Sequence, residues 1–353
     1  MMSKILSIDK TEIGMIIAKP IYRNNGVLLI PSDTVITTRV KQLLTEYFIQ
    51  YVEVQENQDS LMDTSKGVIK ETKAFKTFNK EILSTTEHLK DSLSSLVSED
   101  NDINVQELGE QVFSLFKTAE TTIQLLDMMY CMRDYDDLTY THSVNVALMC
   151  QIMGEWLKLS SEDKKVLVLC GLLHDVGKMD IPQSIMTKQG KLTEDEMNII
   201  KEHPVKSYNI LEHQDLDERI KVTAYMHHEK CDGSGYPKGL KGNEISEFAK
   251  IVTIIDVYDA MTADRAYRKG VCPFKVVETL ITEGYDKYDP KYLLLFLERI
   301  TETYINKYVH LSNGQTGKIV MINKNDIAHP VIQIGEKYID LSKHKNISIE
   351  VIL

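Results

Sequence analysis

The 353-residue chain is 43% apolar and 26% charged, the composition of a globular protein long enough for two or three domains. No apolar run approaches the roughly 18 residues of a membrane span, and a formal charge of −11 excludes broad electrostatic binding to nucleic acid, so any phosphate ligand needs a local basic cluster or metal. The N-terminus lacks a basic-then-apolar signal pattern, and Cys131, Cys150, Cys170, Cys231 and Cys272 are dispersed without a CxxC pair, so a cytoplasmic protein with reduced thiols is expected.

Residues 1–58 read as a small α+β unit, with strands over Glu12–Pro20, Gly26–Ile30 and Tyr51–Val54 and a helix over Thr38–Tyr47. Asn24-Asn25-Gly26 is a turn sequence. No catalytic or phosphate-binding motif falls in this unit, so a docking or oligomerisation module is expected. Residues 59–124 are linker and amphipathic helices, with the polar Gln58–Lys66 as the linker. Phe75, Phe78, Ile82, Leu89, Leu93 and Leu96 recur at near-helical spacing, so the helix over Lys73–Val97 either packs on the core or pairs with a second copy as a homodimer. A further helix is expected over Val105–Met129.

Residues 125–305 are a succession of apolar helices. The first carries His142 near its start and Val144, Ala147, Leu148, Ile152 and Trp156 on its apolar side. The next is capped by Ser160 or Ser161 and ends at His174-Asp175, with Gly177 suited to the left-handed closing residue and Lys178 beside the exposed carbonyls. Thr193 and Glu196 form a capping box for a helix reaching His203-Pro204, a helix junction. Another helix ends at His227-His228-Glu229, followed by the loop Asp232-Gly233-Ser234-Gly235-Tyr236-Pro237. Ser246 opens a long helix with Asp256 and Asp259 on one face. Residues 306–353 alternate, giving strands over Lys318–Ile322, Val331–Ile334, Lys337–Leu341 and Ile347–Ile352, with a turn at Asn313-Gly314. This small β-rich domain reads as structural or protein-binding. The fold class is mainly α, flanked by two small mixed units.

Taken singly, each histidine is more often an ordinary hydrogen-bonded side chain than a metal ligand. Together, His142, His174, His203, His227 and His228 fall at helix ends within one helical region, the way a bundle delivers ligands to a common centre. With Asp175 and Asp256 added they exceed the needs of one ion, which points to two, and a carboxylate such as Asp175 can bridge them. Mixed nitrogen and oxygen donors suit iron, manganese or zinc better than magnesium or calcium. Two metals roughly 3.5 to 4 Å apart would activate a bridging hydroxide for in-line displacement at phosphorus, which predicts a phosphohydrolase.

His174-Asp175 with Gly177-Lys178, His203-Pro204, His227-His228-Glu229, Gly235-Tyr236-Pro237 and the run from Asp256 through Asp264-Arg265 to Tyr267-Arg268 together resemble the HD-GYP subgroup of the HD phosphohydrolase superfamily. The resemblance spans roughly residues 125–300. It implies an all-helical metal-dependent domain that hydrolyses cyclic di-GMP to linear pGpG or GMP. It further implies that His142, His174, Asp175, His203, His227, His228 and Asp256 bind two divalent ions, iron or manganese before zinc, with Asp175 between them. By the same resemblance Lys178 contacts the scissile phosphate, Arg265 and Arg268 hold phosphates, and Tyr236 stacks on a guanine or closes the pocket. Glu229 and Asp259 are expected to orient ligand imidazoles. Leu138 stands where some relatives place a glutamate that holds a third metal, so two metals are expected; Lys230-Cys231 and Ala266 also depart from the common pattern near the substrate rim. The alternatives are a non-hydrolytic dinucleotide receptor or protein-interaction module, and a hydrolase of cyclic GMP-AMP.

Overall fold

The computed structural model describes residues 69–353 except 100–102, 133–137, 189 and 264–269, and, before them, residues 3–8, 11, 15, 17–23, 28–32, 34, 36, 38–47, 49 and 51–55. The chain divides into two compact units, residues 1–68 and residues 69–352.

In the first unit, β1 (Ser3–Ser7) runs antiparallel to β4 (Tyr51–Gln55), with Ile5 opposite Glu53, and β2 (Ile21–Tyr22) pairs with β3 (Leu28–Ile30). Alternation in β4 buries Val52 and Val54 against Ile17, Ile30, Ile36 and Leu44, the last from α1 (Thr38–Glu46). The expected strand over Glu12–Pro20 is reduced, among the described residues, to a single bridge between Ile17 and Val54, and β1 was not expected. The turn at Asn24–Gly26 and the linker at Gln58–Lys66 lie outside the described residues.

The second unit opens with α2 (Lys73–Glu99), whose stripe of Phe75, Phe78, Ile82, Leu89, Leu93 and Leu96 is buried in the main core. Of the two expected uses of that stripe, packing on the core is the observed one. The single helix expected over Val105–Met129 is two, α3 (Val105–Lys117) and α4 (Thr122–Cys131). The break is local chemistry: the Thr118 hydroxyl donates back to Leu115 O, and the Thr121 side chain accepts from Gln124 N as a new N-cap.

Two apolar helices follow, α5 (Leu138–Trp156) and α6 (Ser161–Leu173), the latter capped by Ser160. They approach closely at Gly171, where a Cβ would stand 2.9 Å from Cys150 Sγ and 3.0 Å from Ala147 Cα. A 3-10 helix (Val176–Asp180), the short α7 (Gln183–Met186), α8 (Glu194–Ile200) with its complete Thr193–Glu196 capping box, α9 (His203–Glu212) and α10 (Glu218–Met226) come next. The central α11 (Glu247–Thr262), capped by Ser246, is buried along most of its length. After it come α12 (Pro273–Gly284) and α13 (Pro290–Glu302).

The C-terminal strands β5 (Tyr308–Leu311), β6 (Thr316–Met321), β7 (Val331–Ile334), β8 (Lys337–Asp340) and β9 (Ile349–Ile352) form one antiparallel sheet in the order β8-β7-β6-β5-β9. Its core of Val309, Leu311, Ile319, Ile332, Leu341, Ile349 and Ile352 also takes Phe274 from α12. Gly314 has φ +79°, the backbone of the expected Asn313-Gly314 turn. Among the described residues no helix is long and apolar enough to cross a membrane.

Candidate metal centre

The polar centre of the second unit is built almost wholly from helix ends. His174 is the C-cap of α6, His227 the C-cap of α10, and His203 opens α9. In all three, the ring Nδ1–H donates to a backbone carbonyl three residues earlier: Gly171 O at 2.8 Å, Ala224 O at 2.8 Å and Ile200 O at 2.7 Å. A carbonyl can only accept, so the proton sits on Nδ1 and each Nε2 presents its lone pair to the interior. Nε2 of His203 and Nε2 of His227 face each other at 3.1 Å, an arrangement of two lone pairs that calls for a cation between or beside them. His174 Nε2 and Asp175 Oδ1 are buried and have no hydrogen-bond partner. Orphaned donor atoms of this kind, collected in one place, fit a bound metal ion.

Asp175 is the common member. Its Oδ1 lies 3.2 Å from His203 Nε2 and 3.5 Å from His227 Nε2, and its Oδ2 lies 3.3 Å from His174 Nε2 and 3.9 Å from His142 Nε2. Two groups of candidate donors result, Asp175 with His203, His227 and His228, and Asp175 with His142 and His174. Asp256 stands between them, with Oδ1 3.0 Å from His142 Nε2 and 3.9 Å from His174 Nε2, and Oδ2 3.9 Å from His228 Nδ1. All seven residues expected from the motifs are thus brought together.

The electrostatics favour a cation. Burial opposes charge on Asp175, but Lys178 and His174 hold its carboxyl well below the usual range. Asp256 is likewise depressed against its burial, chiefly by His142. Burial lowers His227 to about 4, the neighbouring His174 and His203 acting in the same direction, and burial with the neighbouring His227 lowers His228 well below its ordinary value, keeping both imidazoles neutral. His142 is the exception: burial works against its charge, yet hydrogen bonds to Asp256 and Asp259 raise it to about 9.

The glycine after His174-Asp175 serves a different purpose from the one expected. Gly177 does not have the positive φ of a left-handed cap, and it sits inside the 3-10 helix. A Cβ there would lie 2.3 Å from His203 O and 2.4 Å from Ser207 N, so glycine is required by the close approach of the 3-10 helix to α9. Its N–H donates to Ser207 Oγ at 2.8 Å, which ties the His174-Asp175 end of α6 to the helix that carries His203.

Lys178 Nζ pairs with Asp175 Oδ2. Tyr236 lies over His228, ring centroids 4.7 Å apart and planes 33° apart, with the Lys201 ammonium 5.8 Å from its ring. Asp259 accepts from His142 Nδ1 at 2.7 Å, as its expected orienting part requires. Glu229 departs from that expectation: its two carboxylate oxygens accept from Lys238 N at 2.7 Å and Leu240 N at 2.9 Å, in the following loop, because the chain doubles back over the end of α10. Arg265 and Arg268 lie outside the described residues. Sequence reasoning missed Thr253, whose hydroxyl donates to His227 O at 2.7 Å, and Ser207 and Lys201. Only Thr253 carried a signal, one helical turn before Asp256 on the same face.

The family model described as HD domain matches residues 115–292, half of the chain. Among curated proteins, a cyclic di-GMP phosphodiesterase of Pseudomonas aeruginosa is 31% identical over 56% of this chain and 48% of its own length. The cyclic di-GMP phosphodiesterase PdeB of Borreliella burgdorferi is 34% identical over 54% of this chain and 50% of its own length. A 3'3'-cGAMP-specific phosphodiesterase of Vibrio cholerae is 42% identical over 37% of this chain and 30% of its own length. The chain spans about half the length or less of these relatives. The match falls on the helices that bring the five histidines together, and the chain therefore belongs to the HD domain family.

Proposed function

We propose that the chain is a metal-dependent phosphodiesterase that hydrolyses cyclic di-GMP to linear pGpG, GMP or both. The observation that carries the proposal is Asp175, a buried carboxylate shared by two groups of imidazoles whose ring nitrogens converge on it. His203, His227 and His228 would hold one divalent ion and His142 and His174 the other, with Asp175 bridging and Asp256 completing the set. The donors suit iron or manganese, with zinc as the further candidate. When bound, such a pair supplies Lewis acidity at a phosphoryl oxygen and lowers the pKa of water.

The remaining work falls to this chain's own side chains. Lys178, on the Asp175 carboxylate, is positioned to offset charge that develops on the scissile phosphate. Asp259 holds the His142 ring so that its Nε2 faces inward. Tyr236 offers an aromatic surface beside His228, with its hydroxyl kept protonated by burial and by the nearby Asp175 and Asp256. Arg265 and Arg268, by the family resemblance, hold the ligand phosphates. The flanking α+β and β-rich segments are read as partner-binding or structural, and the cytoplasm as the location, in keeping with five cysteines that form no disulfide with one another.

The 42% identity to a 3'3'-cGAMP-specific enzyme favours a second substrate reading, a cyclic GMP-AMP hydrolase. One experiment separates the readings: protein loaded in turn with iron, manganese and zinc, without air, is incubated with each cyclic dinucleotide and the products are resolved. Turnover of cyclic di-GMP at the higher rate is expected. A faster rate on cyclic GMP-AMP would move the substrate assignment, and tight binding without turnover by metal-loaded protein would make the domain a receptor.

A further inference from the structure

We propose that Glu229 is a positioning residue that fastens the Gly235-Tyr236-Pro237 loop over the His227-His228 end of α10 and so sets where Tyr236 meets substrate. Three independent contacts draw the loop back onto residues 228–230. The Glu229 carboxylate, 2% exposed, accepts the backbone N–H groups of Lys238 and Leu240, one on each oxygen. Tyr236 N–H donates to His228 O at 3.2 Å. Gly235 crosses so closely that a Cβ would lie 2.4 Å from Lys230 N, 2.5 Å from Glu229 Cα and 2.6 Å from His228 O.

Glutamate suits this place because its carboxylate is an acceptor on both oxygens, as two converging N–H donors require. A glutamine would turn an NH2 toward one of those donors and leave a buried group unsatisfied. The consequence for substrate follows from Tyr236. Its ring packs against His228 and has the Lys201 ammonium 5.8 Å from its centroid, so a base that stacks on Tyr236 meets an aromatic surface with a cation beside it. If Glu229 lets go, Tyr236 loses its place while Nδ1 of His227, bonded to Ala224 O, keeps the imidazole where it was. Glu229 therefore acts on binding of the dinucleotide more than on the metal centre. Only this kinetic consequence rests on the phosphodiesterase reading.

The test compares the metal-loaded full chain with Glu229→Gln and with the control Glu244→Gln, since Glu244 accepts from Lys241 N at 2.8 Å on the exposed side of the same loop. Amide hydrogen exchange over residues 236–242, metal content, and KM and kcat for cyclic di-GMP are measured. Glu229→Gln is expected to speed exchange at Lys238 and Leu240 about tenfold and raise KM about tenfold, with kcat within about threefold and metal content unchanged; the control should shift KM less than about twofold. Unchanged exchange, or loss of metal with KM unaltered, overturns the proposal. Were Glu229→Gln not to fold, Glu229→Asp, too short to span both donors, takes the same measurements. If the unaltered protein does not turn over cyclic di-GMP, the phosphodiesterase reading fails while exchange still decides the role of Glu229.

Discussion

Asp259 accepts a 2.7 Å hydrogen bond from Nδ1 of His142, which lies 117 residues earlier in the chain, and Asp256, one helical turn before it, takes the ring's other nitrogen at 3.0 Å. Two positions on one face of α11 thus grip a side chain from α5. Removing the outer grip frees the ring to rotate and weakens its basicity. Asp259→Ala is expected to lower metal affinity about 10- to 100-fold in competition with a chelator, while leaving the helical fold intact by circular dichroism. Unaltered affinity would take Asp259 out of the centre.

Asp175 and Lys178 answer to different measurements. Asp175→Ala removes the one carboxylate shared by both donor groups, so metal content should fall and turnover should vanish. Lys178→Ala should retain metal yet lose about 10²- to 10³-fold in kcat, the usual worth of a charge aimed at a developing anion. Elemental analysis alongside product formation separates the two, and retained activity in Asp175→Ala would contradict its bridging role.

Metal uptake should be coupled to proton release. In the metal-free protein His142 stays protonated up to about pH 9, whereas His227, at about 4, is already neutral. A metal must displace the His142 proton, so apparent affinity rises with pH through the neutral range and levels off near 9. The stability of the metal-free fold has the opposite sense. The raised His142 pKa contributes stability that is present below the ordinary histidine value and is lost as pH rises through about 9. Calorimetry at pH 7.5 in two buffers of different ionisation enthalpy should register close to one proton released per His142 site filled; no release would refute the coupling.

Gly177→Ala tests the packing between the 3-10 helix and α9. The added methyl would fall 2.3 Å from His203 O and 2.4 Å from Ser207 N, both backbone atoms that yield only if the elements part. A loss of about 1–3 kcal/mol in denaturant unfolding is expected, with weaker metal retention because His203 moves too. A variant as stable as the parent would show that the contact relaxes freely.

The helical pattern and the caps at Ser160, Thr193 and Ser246 were legible in the chain, because capping chemistry and apolar periodicity are local properties, and the seven residues that meet at the polar centre were legible as candidate donors. A helix end also announces itself, and His174, His203 and His227 each sit at one. The division of Val105–Met129 into two helices was missed because Thr118 and Thr121 act through side-chain bonds that the apolar spacing alone does not reveal. The first strand of the N-terminal unit was missed because its partner lies some fifty residues away, and pairing at that range leaves no trace in periodicity.

By itself, then, the sequence determined which residue types stand at which helix ends, and so that a mixed imidazole and carboxylate centre belongs to this chain. Only the tertiary structure decided how the imidazoles divide into two groups around Asp175, that the ring Asp259 bonds is that of His142 while Glu229 holds a loop, and that Gly177 is needed for space instead of for a left-handed turn. The reason is one of distance. Caps and periods depend on residues three or four apart, whereas lone pairs meet, and a missing Cβ matters, only where separate helices have been packed against each other.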